Sequence, residues 1–243
     1  NPTLPDTALT EAYQHVISLG SNDIMTNNEK FHLMMTDGIN VEVFEEGQSV
    51  GVLVKLIDFK QFDNNTFWVV NQLVIKENNQ SKRLDVVLYV NGLPLVVIEL
   101  KSAVSEKATL DKAYTQIQNY KQAIPSIFYY NALCVISDGI DARTSSVSAP
   151  YSRYLTWKSP DKVENGILPE SQIMVEQMLK PEVVLNLIRF NTVFESEEVK
   201  ECSTGLLSLV KIKKIAAYHQ YYVVKKAIQS TLRAININGV KSE

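Results

Sequence analysis

Two acidic residues and one lysine, Asp85, Glu99 and Lys101, interrupt apolar runs in the middle of the chain. Asp85 follows Leu84 and precedes Val86-Val87-Leu88, while Glu99 and Lys101 flank Leu100 at the end of Leu95-Val96-Val97-Ile98. Charged side chains within such runs are costly unless they are paired or hold a metal. Residues two apart on a strand share a face, so Glu99 and Lys101 point the same way and Leu100 points opposite. Two converging carboxylates offer oxygen ligands to Mg²⁺, a hard cation that keeps several waters. A lysine beside them can position or deprotonate an attacking water and stabilise charge developing on a phosphate. Those are the parts of metal-assisted phosphodiester hydrolysis. The same three residues suit a buried ion pair equally well, Lys101 with Glu99 or Asp85 and no metal, and so short a pattern also arises by accident.

Other residues extend or compete with this centre. Gln116 and Tyr120 are four apart, hence neighbours on one helical face, where they could touch a DNA backbone or brace the lysine. Each also suits a plain structural place, Tyr120 in the core and Gln116 in solvent. Lys82, Arg83, Lys107, Lys112 and Lys121 flank the centre and mark where phosphates would be met, although each alone suits a solvated surface. His15, His32 and His219 show no ligand spacing and are expected in solvent or core. Cys134 and Cys202 form no CxxC pair, which argues against a cysteine-rich zinc site. Trp157 is expected to be a packing anchor at a domain boundary.

The elements that must position the three residues are legible around them. Residues 83–90 and 93–101 read as two strands rich in Val and Ile, joined at Asn91-Gly92, a strong hairpin signal. Their density of β-branched residues predicts a central sheet covered on both faces. Counting outward from the turn brings Asp85 and Glu99 to the same end of it. Residues 39–44, 50–57 and 67–75 read as further strands, with a turn at Asp63-Asn64-Asn65. Helices are predicted over 7–19, 31–35 and 106–122, with a loop over 21–28 and a buried strand over 128–136. A boundary is placed near Pro160. The chain then divides into a domain over 1–160 and a helical segment over 161–243, with helices over 170–180, 181–191 and 206–234.

Composition bounds the rest. Hydrophobic residues make up 45% and charged residues 21% of 243, enough for a core and against wholesale disorder. Lys and Arg number 24 against 27 Asp and Glu, a net charge of −3, so no basic surplus announces a nucleic-acid binder. Any contact with DNA must come from a local patch or from another part of an assembly. Neither a signal peptide nor a membrane-length apolar run is visible, and two reduced thiols fit a reducing cytoplasm. The first residue is Asn rather than Met, which implies a longer native sequence or processing.

Residues 83–101, RLDVVLYVNGLPLVVIELK, resemble the nuclease motif of the restriction (R) subunit of type I restriction–modification enzymes. FHLMMTDGINVEV (31–43), VVNQLV (69–74), QIQNYKQAIP (116–125), YNALCVISDGIDAR (130–143) and KKIAAYHQYYVVKKAIQST (213–231) read like the same family. The resemblance implies an α/β fold of the restriction-endonuclease-like PD-(D/E)xK type: a central mixed sheet flanked by helices, then a helical segment leading to a helicase motor missing here. It implies Asp85 and Glu99 as metal ligands, Lys101 as the catalytic lysine, Gln116 and Tyr120 as the family's Q-x-x-x-Y element, and Glu11 or Glu29 as an added acid. Leu84 stands where relatives often carry Pro.

Function by resemblance is Mg²⁺-dependent cleavage of double-stranded DNA. It would occur in an assembly with methyltransferase (M) and specificity (S) subunits, with S-adenosylmethionine belonging to those partners. ATP would drive a motor in the full-length protein; the phosphate-binding loop G-x-x-x-x-G-K-[ST] does not occur in this sequence. Gln220, in the lead-in Tyr218-His219-Gln220-Tyr221-Tyr222, could then contact an adenine, though a helix that merely packs fits this piece as well. Two other readings remain: a non-catalytic docking or scaffold domain with a degenerate acidic centre, and a PD-(D/E)xK repair or recombination nuclease.

Overall fold

The computed structural model describes residues 4–45, 47–102, 110–159, 168–200 and 207–239. Helices α1 (Asp6–Ile17) and α2 (Ile24–Asp37) lead into the hairpin β1 (Ile39–Glu45) and β2 (Gln48–Val54). A five-stranded mixed sheet follows: β3 (Phe67–Glu77), β4 (Gln80–Val90), β5 (Leu93–Leu100), β6 (Leu133–Ser137) and β7 (Ala142–Ser145), adjacent in that order. Helices α3 (Leu110–Ala123) and α4 (Ser126–Tyr129) connect β5 to β6. All neighbours are antiparallel except β5 and β6, which run parallel. A parallel pair needs a crossover of a dozen or more residues, and α3 falls within it. Beyond lie α5 (Glu170–Ile173) running into a π-helical turn over Met174–Met178, α6 (Pro181–Phe190), the hairpin β8 (Thr192–Lys200) and β9 (Leu207–Ile215), and α7 (Tyr218–Gly239).

Both faces of the sheet are covered, as the Val and Ile content of β5 requires. Val97 packs with Ala113 and Ile117 of α3 in one cluster, while Val96 packs with α1, α2 and α6 in the other. The turn between β4 and β5 has Asn91 at φ 51° and Gly92 at φ 81°. Those are the left-handed values that a tight hairpin turn demands, and Asn and Gly tolerate them best. The Asn91 side chain also accepts from Thr66 N at 2.8 Å and donates to Leu56 O at 2.9 Å, tying the turn to the preceding loop.

Several expected elements differ. Residues 24–28, expected in a loop, begin α2, because Asp23 caps it by accepting from Thr26 N at 2.7 Å. The strand expected over 128–136 begins at Leu133; its first residues belong to α4 and a turn. The helix expected over 206–234 is half strand. Leu207, Leu209, Lys211, Lys213 and Ile215 alternate with period two along β9, and the helix starts at Tyr218. The region after residue 160 is therefore not wholly helical. Met174, Met178, Leu185, Leu187 and Tyr221 bury in the same cluster as Ala8, Phe31 and Val96. Trp157, 2% exposed, packs against Tyr221 and Tyr222 and joins the sheet side to α7.

Candidate active site

Asp85 and Glu99 meet because of strand register. Val86 lies opposite Ile98, so one step further out sets Asp85 of β4 across from Glu99 of β5. Glu99 follows Val97 by two and so faces α3, where it is 2% exposed. Its Oε1 accepts from Lys101 Nζ at 2.6 Å and its Oε2 from Tyr120 O–H at 3.0 Å. Lys101 leaves the sheet at the same edge, its backbone N–H donating to Ser137 O at 2.8 Å. Its side chain stays 27% exposed, so the amine looks outward while the carboxylate lies beneath it. Asp85 is half-buried; its Oδ2 accepts from the backbone N–H of Leu100 at 2.8 Å and its Oδ1 from Gln72 Nε2 at 3.3 Å.

The pleat of β4 slips at this point. Leu84 and Val87 both bury on the α3 side although they are three apart, so strict alternation breaks between them. Leu84, wholly buried, anchors the strand directly before the acid.

Electrostatics follow from burial. Desolvation pushes the Glu99 carboxyl above its ordinary range, and the nearby Asp85 charge adds to the rise; the bonds from Lys101 and Tyr120 pull the other way and lose. The Tyr120 hydroxyl is held protonated, first by burial and then by the Glu99 charge. Two carboxylates facing each other across one pair of strands favour a cation between them. All donors from these side chains are oxygen, which matches a hard divalent ion. Each bonded carboxylate oxygen keeps a further lone pair. Among the described residues no group of three His, Cys, Asp or Glu gathers. A metal here would thus rest on two carboxylates and water, the pattern of Mg²⁺.

The other expected residues divide. Gln116 lies one turn before Tyr120 on α3, and Tyr120, 3% exposed, also donates towards Arg83 O at 2.8 Å. Tyr120 braces Glu99 rather than the lysine, and it lies too deep to touch a backbone of DNA. Arg83 is exposed beside the acid. Glu29 pairs with Lys211 of β9 instead of joining Asp85. Its neighbour Asn28 donates to Phe128 O and Asn131 O, at the start of β6 and the opposite end from Glu99. Glu11 lies exposed on α1, which packs against β1. Lys121 Nζ donates to Val147 O at 2.9 Å and to Gln118, so it faces inward rather than to phosphates. Gln220 accepts from Ala217 N at 2.9 Å at the start of α7. Lys107 and Cys202 lie outside the described residues; Cys134 is a buried free thiol. Gln72 and the Leu100 amide hold Asp85 without any signal of residue type to announce them. A concavity of about 600 Å³ between α2, α6 and β8 is lined by Glu29, His32 and Arg189 and does not include the acidic pair.

This arrangement has relatives. The profile of the type I restriction enzyme R protein N terminus matches residues 2–153. The type I restriction enzyme HindI endonuclease subunit of Haemophilus influenzae is 37% identical over 98% of this chain and 22% of its own length. A Methanocaldococcus jannaschii protein, provisionally named as the MjaIXP endonuclease subunit, is 28% identical over 97% of this chain and 23% of its own. The chain spans less than a quarter of either relative. No helix among the described residues is long and apolar enough to cross a membrane. A profile covering most of the chain, and a relative 37% identical over 98% of it, place the chain in the type I restriction enzyme R protein N-terminal family.

Proposed function

We propose that this chain carries the Mg²⁺-dependent endonuclease centre of a type I restriction enzyme R subunit, hydrolysing double-stranded DNA in a PD-(D/E)xK fold. The observation that supports it most is the meeting of Asp85, Glu99 and Lys101 at one edge of two paired strands. Asp85 and Glu99 would hold the ion. Bound there, it supplies Lewis-acid stabilisation of the phosphate and a more acidic water. The chain's own groups do the rest. Tyr120 fixes Glu99 Oε2, and the Leu100 amide fixes Asp85 Oδ2. Lys101, already donating to Glu99 and partly open to solvent, offers its remaining protons to the attacking water and to a phosphate oxygen. Arg83, exposed two residues before Asp85, would meet an adjacent phosphate.

The reading extends to the rest of the assembly. ATP-driven translocation would belong to a motor elsewhere in the full-length protein. Site recognition would belong to the M and S subunits, S-adenosylmethionine to those partners, and the whole to the cytoplasm. The short Lys101–Glu99 bond favours a second reading, an ion pair that closes the centre and leaves a scaffold. Substituting Lys101→Ala in the full-length subunit, assembled with its partners, separates the two. We expect cleavage to be abolished while ATP-driven translocation persists. Normal cutting by that variant would remove Lys101 from the chemistry.

A further inference from the structure

Gln72 has a backbone conformation foreign to its surroundings. It lies inside β3 yet has φ 52°, whereas strand residues sit near −140°. The other non-glycine residues with positive φ among those described, Asn78, Asn79 and Asn91, all occupy hairpin turns. Glutamine gains nothing locally from the left-handed region and is disfavoured there by the clash of its Cβ. Such strain persists where surrounding structure enforces it, and it collects at functional sites.

The kink falls at the level of the acid. Asn71 pairs with Val86 and Leu73 with Leu84, so Gln72 stands across from Asp85, and this one pair is missing from the ladder. The side-chain amide makes the contact instead: Gln72 Nε2 donates to Asp85 Oδ1 at 3.3 Å. With Leu100 N on Oδ2, both oxygens of Asp85 are held from opposite neighbours, β3 and β5. The slip in the pleat of β4 between Leu84 and Val87 sits at the same rung.

We propose that Gln72 is a positioning residue of the centre: the kink in β3 aims its amide at Asp85 and fixes the carboxylate in the orientation that binds the divalent ion beside Glu99. This rests on the metal-centre reading above. A carboxylate free to rotate must be ordered when the ion arrives, and partners that orient ligands are commonly worth 10- to 100-fold in affinity.

The test uses the 243-residue chain and Mn²⁺ as probe. Affinity is measured by calorimetric titration and stability by thermal melting without metal, for the native chain, Gln72→Ala, Gln72→Gly and Asp85→Ala. Gln72→Gly relieves the left-handed strain and removes the amide together. We expect it to melt at or above the native temperature yet bind Mn²⁺ about 10-fold more weakly. Gln72→Ala keeps the strain and should lose affinity to a similar extent without the gain in melting temperature. Affinity unchanged in both Gln72 variants, with binding lost in Asp85→Ala, overturns the role of Gln72 and leaves the metal centre standing. Absence of Asp85-dependent binding in the native chain overturns both.

Discussion

Tyr120 shows how much a single buried hydroxyl does here. It donates towards Glu99 Oε2 and Arg83 O from a nearly sealed position. Its bond to the carboxylate lowers the pKa of Glu99, against burial, which raises it. Tyr120→Phe removes that support and leaves a buried acceptor unpaired, a loss of about 1–3 kcal/mol measurable by urea unfolding. The sign of the pH effect follows. Only the ionised carboxylate binds a cation, and Phe lets the Glu99 pKa rise further. Loss of Mn²⁺ binding on acidification should therefore begin at a higher pH in the variant. Superimposable affinity profiles would show that Tyr120 is packing alone. The acids and the lysine were legible in the sequence because each breaks an apolar run, and Tyr120 and Gln116 because four residues make a helical neighbour. What Tyr120 touches was not legible, since a helical face says nothing of which strand it covers. Gln72 was invisible for a different reason: glycine and asparagine advertise a positive φ, and glutamine does not.

At the scale of elements, the misread segments share a cause. The run from 128 to 136 is apolar or aromatic apart from Asn131, and a short buried helix cannot be told from a strand by periodicity alone. The alternation in β9 was masked by the helical pattern that starts three residues after it. That strand matters, because it carries Lys213 into the core. Lys213 is 2% exposed and donates to Asn28 Oδ1 at 3.0 Å and Asn131 O at 2.9 Å, while Ser146 holds its backbone carbonyl. A neutral amine has two protons, which these two acceptors use. Burial lowers its pKa from 10.5 to about 7. Between those values the unfolded chain binds a proton that the folded chain does not, so this group makes stability rise with pH over that window. Lys213→Met removes the group that titrates. The native chain should gain on the variant from about pH 7 to pH 10 by at least about 5 °C in melting temperature. Parallel melting curves would mean that the amine stays charged in the fold.

For the whole molecule, charge decides what the chain can do alone. Its net charge is −3, and the cations nearest the centre are few. Lys121 is committed to Val147 and Gln118, and Lys112 has an internal partner of its own. Lys101 is bonded to Glu99, which leaves Lys82 and Arg83 as the described cations on the rim of β4. Affinity for duplex DNA comes mainly from phosphates neutralised, and log K falls with log salt in proportion to their number. Two or three contacts give a shallow slope and weak binding. The 243-residue chain should thus bind duplex no tighter than the non-specific range of about 10⁻⁴ to 10⁻⁶ M, with a slope near −2 to −3. It should cut DNA poorly while still binding Mn²⁺. Arg83→Ala should flatten that slope by about one unit without changing Mn²⁺ affinity. Gel-shift or anisotropy titrations across a range of salt measure both. A steep slope with tight binding, or strong site-specific cutting by this chain alone, would place the DNA grip within these residues. The division of labour with partner subunits would then be wrong, whatever the state of the metal centre.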